Sequence, residues 1–475
     1  MKRFIVGEDR KQSTLFPESF DEYVAEDNSV RVVDVFVDEI DLDKMGFKTM
    51  PAETGRPSYH PSTMLKLYIY GYLNRIQSSR RLEREAGRNI ELMWLLGRLA
   101  PDFKTIADFR KDNTKAIISV CREFVLLCRK LDLFSEAFVA IDGSKFKAVN
   151  NRDLNFTRTK LKISLEVINT SIAKYLSQIE SADRRDTSSA KLKKERLENK
   201  ISRLKAEIQR LNTIKIVLEA TPDKQISMTD PDARSMKSRG SGIVGYNVQA
   251  AVDVKNHIIL AHEVTNIGPD KGQLFNISKQ AKAVIGSDNL MVVADRGYYN
   301  SKEIVACENS NITVFLPKPQ TSGNQAKGLF GKRDFIYDSK RDAYTCPGDE
   351  VAIYRFSNEE RGNIIRRYWS SSCVGCSLKA QCTTGKYRRI SRGENENLLE
   401  KIEERLELRS GMMKIRKSTV EHPFGTIKSW MGASHFQTKT LKNVSTEMSL
   451  HVLAYNLKRV MNIIGAASLM EAMRA

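Results

Sequence analysis

The chain has 475 residues, with 77 Lys and Arg against 58 Asp and Glu, a formal net charge of +19. That length calls for more than one domain, and the cation excess favours a polyanionic partner, nucleic acid first. No apolar run approaches the roughly 20 residues of a bilayer-spanning helix, and Met1-Lys-Arg-Phe-Ile-Val-Gly7 lacks the features of a signal peptide, so the expectation is a cytoplasmic protein with no membrane partner. Seven cysteines, an odd number, argue against a disulfide framework.

A polar leader opens the chain, and Ser29–Val37 is apolar without a decisive period, so strand and helix both stand. From Pro61 the pattern is helical: Pro61 suits a first helical position, and Met64, Leu65, Tyr68, Ile69 and Tyr72 recur at helical spacing. Ser79 is set to cap a second helix, Asn89 and Gly97 to bracket a third, Thr105 to open a fourth, and a longer helix is expected over about Lys115–Leu133. Among them lie Arg75, Arg80, Arg81, Arg84, Arg88, Lys104, Arg110 and Lys111. Short helices with this charge fit a helix-turn-helix-like DNA reader, and fit equally a small bundle with a solvated basic face.

The run Ala137–Ile141 reads as a buried strand closed by Asp142. Two heptad-patterned helices follow, one on Leu161, Leu165, Ile168, Ile172, Tyr175 and Ile179, the other on Leu197, Ile201, Leu204, Ile208, Leu211 and Leu218. Joined by polar Ser181–Ser189, they form an antiparallel hairpin, which could pair within the chain or with a second subunit. Strand patterns return at Gly245–Val252 and His257–Val264 around a turn at Asp253–Asn256. A helix over about Lys271–Val284 leads to the strand Leu290–Ala294, closed by Asp295, then a helix at Ser301–Glu308 and a strand at Ile312–Leu316. The tail Met448–Ile464 reads as an amphipathic helix that closes against the sheet.

Three acids carry the chemistry. Asp142 and Asp295 close buried strands at the sheet edge where ligands of α/β folds gather. Glu421 stands among Arg416, Lys417 and Lys428, sharing a helical face with Lys417 and Lys428. Such acids on rigid elements can hold two Mg²⁺ ions for in-line attack at phosphorus, because Mg²⁺ takes oxygen ligands and retains waters. Lys145, three residues past Asp142, and Arg296, next to Asp295, are placed to meet phosphate. Asp230, Asp232, Asp253 and Asp270 read as structural turn residues. Cys346, Cys373, Cys376 and Cys382 form a set with one two-residue gap, which fits a structural Zn²⁺ site or four separate thiols. Around them, Arg361, Arg366, Arg367, Lys386, Arg388, Arg389 and Arg392 suit a second DNA-contacting surface or plain solvation. Trp430 and His435 either contact DNA or pack the end of the helix.

The blocks Gly55–Lys66, Ile141-Asp-Gly-Ser-Lys145, Val244–Asp253, Ala294-Asp-Arg-Gly-Tyr298 and Thr419–Lys428 resemble, in order, those of DDE transposases of bacterial insertion sequences, in the branch with a Tyr-Arg-Glu-Lys signature. The resemblance implies an α/β fold with a ribonuclease-H-like core. Its parts would be an all-α DNA-binding domain over 1–135, a core over 136–156 and 221–318, a hairpin insertion over 157–220, a Cys-rich insertion over 319–400, and the Glu helix within 401–475. It implies Asp142, Asp295 and Glu421 as the catalytic triad holding two Mg²⁺, with Asp142 bridging them. It further implies cleavage and strand transfer on double-stranded DNA, terminal inverted repeats and target, by a homodimer. A two-metal nuclease without strand transfer and a non-catalytic DNA-binding protein are the rival readings. One departure matters. Lys417 stands at the signature's Arg place and Lys414 at its Tyr place, with Arg416 one residue off. Spacing favours Lys417 as the phosphate-holding cation, one turn from Glu421, with Arg416 rotated about 100° away.

Overall fold

The computed structural model describes residues 19–50, 57–135, 137–151, 154–183, 188–220, 224–237, 242–319, 323–324, 327–360 and 362–475. The polar leader, Gly55-Arg56, residues 184–187 of the hairpin turn and Arg361 lie outside them. The fold is mixed α/β and about half helical.

Seven helices come first: α1 (Ser29–Glu39), α2 (Leu42–Met45), α3 (Pro61–Leu73), α4 (Ser79–Ala86), α5 (Ile90–Leu95), α6 (Phe103–Asp112) and α7 (Thr114–Lys130). The undecided run at Ser29 is helical, because Asn28 caps it by accepting from the Val30 amide and its valines lie buried on one core. Two other caps fall earlier than expected. Ser78 takes the place of Ser79, and Asp102 accepts from the amides of Lys104 and Thr105, so Thr105 is already inside α6. Asn89 caps α5 as expected.

The α/β region opens with β1 (Phe138–Lys147). The short pair β2 (Asn155–Thr157) and β3 (Gln225–Ser227) clamps the base of the hairpin α8 (Arg158–Asp183) and α9 (Ser188–Ala220). Leu161, Leu211, Ile214 and Leu218 pack there with Phe156 as a core of their own, so the hairpin closes within the chain. Then come β4 (Arg234–Lys237), β5 (Gly242–Asp253), β6 (Ile259–Thr265), α10 (Leu274–Ile285), β7 (Leu290–Val293), α11 (Ser301–Asn309) and β8 (Ile312–Phe315). These strands form one sheet in the order β4-β5-β1-β7-β8, with β6 also on β5. The pairs β1–β5 and β5–β6 are antiparallel, whereas β1–β7 and β7–β8 are parallel.

A second, five-stranded sheet holds β9 (Ile336–Asp338), β10 (Ala343–Thr345), β11 (Val351–Glu360), β12 (Asn363–Trp369) and β13 (Ile390–Gly393), with α12 (Lys379–Cys382) beside it. The chain ends in α13 (Glu396–Leu408), α14 (Met412–Gly425), α15 (Leu441–Ile464) and α16 (Ala466–Arg474). α15 differs from its amphipathic reading. Nearly every residue from Val444 to Leu457 is buried, since the helix packs on α7, α3 and β6 at once. Buried Asn456 replaces a missing strand partner there, accepting from the Ile259 amide at 3.0 Å and donating to its carbonyl at 2.9 Å. One apolar cluster runs from the N-terminal helices through α15 into the main sheet.

Gly245 faces Lys147 in the β1–β5 ladder, where a Cβ would overlap the Phe146 carbonyl oxygen and stand 2.9 Å from its carbon. The obstacle is backbone and cannot swing aside. Gly245→Ala is expected to destabilise the protein by about 2–3 kcal/mol, read by urea unfolding, in line with overpacking of a closed core.

Candidate active site

Asp142 does not close β1 but lies in its middle. The strand stays extended because β5 pairs it along its whole length, from Val139 opposite Asp253 to Lys147 opposite Gly245. The parallel neighbour β7 stops earlier, its last pair being Val293 with Ala140. Two residues further along both strands stand Asp142 and Asp295, so the register delivers the two carboxylates side by side. Asp295 then caps a 3-10 turn (Arg296–Tyr298), its Oδ1 accepting from the Gly297 amide at 2.7 Å.

Arg416 of α14 joins them. Its Nη2 is 2.8 Å from Asp142 Oδ1 and 3.8 Å from Asp295 Oδ2. The guanidinium is mostly enclosed, and its Nε is buried without an acceptor. Arg416 reaches the acids, while Lys417, the residue that spacing favours, is exposed one position round the helix. The face of α14 that meets β1 is set by its buried residues Met412, Thr419, Val420 and Phe424.

Burial pushes the Asp142 carboxyl up to about 6, with the Arg416 charge and the Gly143 amide opposing the rise and the Asp295 charge adding to it. Glu421 is exposed and makes no hydrogen bond or ion pair among the described residues. It lies about 140° round the helix from Arg416 at 100° per residue. The structure therefore brings Asp142, Asp295 and Arg416 together and leaves Glu421 outside that contact. Among the described residues no group of three or more His, Cys, Asp or Glu side chains is arranged to hold a metal ion. The pair Asp142 and Asp295 still fits Mg²⁺ in kind, since that ion is commonly bound by one or two carboxylates with waters and substrate phosphate as its other ligands.

The remaining cations divide. Lys428 donates to Ser144 Oγ at 2.6 Å and to the Lys145 carbonyl at 2.8 Å, with its ammonium over the Phe146 ring, and burial lowers its pKa. It braces β1 beyond Asp142. Arg296 is exposed beside Asp295, and Lys145 is half-buried on β1. Trp430 lies between the Arg75 guanidinium and the Lys458 ammonium, 4.6 and 3.5 Å from its ring centre, which ties the N-terminal helices to the end of α14. Arg110 is half-buried and donates to Tyr72, which ties it to the helical core.

Two expectations for the Cys-rich insertion are revised. Cys346, Cys373, Cys376 and Cys382 do line one small cavity, but its walls include apolar Phe335, Ala352 and Ile390. The thiols are not arranged as a metal-holding group, so zinc receives no support. Of the insertion's arginines, Arg366 pairs with Asp342, Arg367 with Glu360, and Arg392 with Glu400; of the three only Arg392 is buried. The turn acids are structural as read. Asp253 holds Ser135 and Asn256, while Asp230 and Asp232 accept from the Thr440 and Leu441 amides at the start of α15. Asp270 is the exception. It stands against Gly143 and Gly297, beside both site aspartates, a placement that no periodicity in its loop could announce.

The family model for a transposase domain (DUF772) matches residues 18–112, and that for a transposase DDE domain matches residues 345–461. Among curated proteins none matches. A cryo-EM structure of a piggyBac transposase synaptic complex with hairpin DNA is 8% identical with a TM-score of 0.32, covering 94% of this chain and 79% of that one, too distant to carry an argument. Both matches are to transposase families, one at each end of the chain. Together they support a DDE transposase of the insertion-sequence type. DDE transposase domains in general use a divalent metal ion.

The raised Asp142 pKa has a consequence for stability. The folded state takes up the proton before the unfolded chain, whose Asp titrates near 3.8, so the group's favourable contribution is complete below that value and is lost as pH rises through about 6. Without metal, Asp142→Asn is expected to be more stable than the parent at pH 8 by about 2 kcal/mol, and no more stable at pH 4, in urea titrations at the two pH values.

Proposed function

We propose that the protein binds the ends of an insertion sequence as a homodimer and catalyses Mg²⁺-dependent cleavage and strand transfer through Asp142, Asp295 and Glu421. The observation that carries this reading is the single guanidinium of Arg416 facing both Asp142 and Asp295 at the edge of the main sheet. The sheet order, with three antiparallel strands on one side and two parallel strands on the other, supports a ribonuclease-H-like core.

Asp142 and Asp295 would hold the metal ions, with Glu421 joining from α14, where its carboxylate is exposed and carries no ion pair among the described residues. Bound Mg²⁺ supplies activation of the attacking oxygen and neutralisation of the leaving one. Before DNA arrives Arg416 offsets the repulsion of two close carboxylates, roughly a few kcal/mol at protein-surface dielectric. When phosphate enters, the exposed Arg296 can donate to its oxygens. Two phosphodiester bonds would break and one form: water hydrolyses the bond at the element end, leaving a 5′-phosphate and a free 3′-hydroxyl, and that hydroxyl then displaces a 3′-oxygen of target DNA, exchanging one phosphodiester for another. Lys428, tied to Ser144 and Lys145, acts mainly on the shape of β1.

Asp142→Asn, Asp295→Asn and Glu421→Gln should each lower cleavage of an end-bearing duplex in Mg²⁺ by at least about a thousandfold while end binding persists, since each removes a charge without changing shape. Near-parental cleavage by one of them removes that residue from the triad. A joined product separates the transposase from a simple nuclease, and its absence in the parent, with cleavage intact, favours the nuclease.

Arg416→Ala should cost more strand transfer than Lys417→Ala, by about a hundredfold in single-turnover rate, because only Arg416 touches the acids. Equal losses would return the phosphate contact to Lys417. Both variants should bind DNA with affinity that still falls steeply with salt, the charge-dominated behaviour expected at +19.

A further inference from the structure

Asp270 lies in the loop between β6 and α10, far in sequence from both site aspartates, and the reaction as described has no use for it. Its surroundings are nonetheless built. Asp270 Oδ1 accepts from Asn247 Nδ2 at 2.8 Å and from Gln249 Nε2 at 2.9 Å. Gln249 in turn accepts, through Oε1, from the Tyr298 hydroxyl. Tyr298 is fully buried and is the last residue of the turn that Asp295 caps. Gln249 is also the β5 residue directly opposite Gly143, the neighbour of Asp142. One chain of hydrogen bonds therefore runs from Asp270 through Gln249 to the turn beneath Asp295, crossing β1 beside Asp142.

Two glycines make room for this crossing. A Cβ on Gly143 would overlap Asp270 Oδ1 and stand 2.5 Å from Gln249 Nε2. A Cβ on Gly297 would stand 2.8 Å from Asp295 Oδ1 and 3.7 Å from Asp270 Oδ2. The polarity of the chain is fixed as well. Burial holds the Tyr298 hydroxyl protonated, well above its usual range, so it donates; Gln249 must then present its oxygen to Tyr298 and its nitrogen to Asp270. Only an acceptor at position 270 completes the sequence.

We propose that Asp270 is a positioning residue for the DNA-cleaving centre, fixing Asp295 against Asp142 through Gln249 and Tyr298. The proposal rests on the reading of Asp142 and Asp295 as metal-holding acids. Asp270 acts as a hydrogen-bond acceptor in this role, and a neutral acceptor of the same shape serves nearly as well. That requirement sets it apart from a further metal ligand, for which the charge itself matters.

The test uses the full chain with Mn²⁺ alone, titrated by calorimetry, and single-turnover cleavage of an end-bearing duplex. Asp270→Ala should weaken Mn²⁺ binding and lower the cleavage rate by about ten- to hundredfold, the usual range for a residue behind a metal ligand, with duplex affinity unchanged. Asp270→Asn should recover most of both. Tyr298→Phe, which cuts the chain at its other end without emptying the core, should show the same direction of loss. If Asp270→Ala disturbs folding, Tyr298→Phe and the Asp270→Asn recovery still decide the matter. Parental Mn²⁺ affinity and cleavage in Tyr298→Phe would overturn the relay, and Asp270→Asn as impaired as Asp270→Ala would overturn the acceptor role in favour of direct charge. Asp142→Asn serves as the reference. If it also binds Mn²⁺ and cleaves like the parent, the metal-centre reading fails and this proposal with it; if it is inactive while Asp270→Ala is unimpaired, only Asp270 is struck out.

Discussion

Two carboxylates held side by side repel, and the centre of this protein is organised around that repulsion. The parallel pairing of β1 with β7 fixes Asp142 and Asp295 at the same level, and neither can retreat because each belongs to a buried strand or to the turn directly after one. Arg416 answers the charge with one guanidinium. The raised pKa of Asp142 shows that the answer is incomplete, since burial outweighs the cation. Under the proposed function, a site left short of positive charge in this way would take divalent cations and their own partner, phosphate.

The rest of the molecule holds the three groups in register. α14 must lie on β1 at one height for Arg416 to meet Asp142, and Lys428, in the turn that follows α14, donates to Ser144 and the Lys145 carbonyl. α15 backs the sheet through Asn456 on β6 and is itself anchored by Asp230 and Asp232, which accept from the amides at its start. Those two acids thus serve the centre at a distance, as structure and not as chemistry. The Trp430 ring between Arg75 and Lys458 extends the same bracing into the N-terminal helices. The hairpin of α8 and α9, by contrast, leaves the sheet at a two-stranded clamp and carries its own small core.

The order of elements was legible in the sequence wherever a period was clean. The heptads of α8 and α9 fall on buried or half-buried seam positions, and β5, β6, α10, β7, α11 and β8 appear where alternation and apolar runs placed them. Caps were readable to within a residue or three, because Ser, Asn and Asp compete for the same role and only the local backbone chooses among them. The middle position of Asp142 in β1 was not legible, since a strand that continues into polar residues depends on a partner, here β5, to keep it extended.

The sequence by itself determined the class of protein and the acids worth suspecting, because composition, apolar periodicity and short motifs are local properties of the chain. It marked Asp142 and Asp295 as a pair of interest, and its spacing favoured Lys417 over Arg416 as the phosphate-holding cation. Tertiary structure instead sets Arg416 beside the two acids, because the burial of Thr419 and Val420 turns Arg416 toward β1 and Lys417 toward solvent. It also engaged Arg366 and Arg392 of the insertion in ion pairs with Asp342 and Glu400, set the four thiols around one small cavity, and carried Asp270 to the edge of the centre through Gln249 and Tyr298. None of these could be read in one dimension, since each depends on which residues from distant segments arrive at the same place, and only the packing of the folded chain decides that.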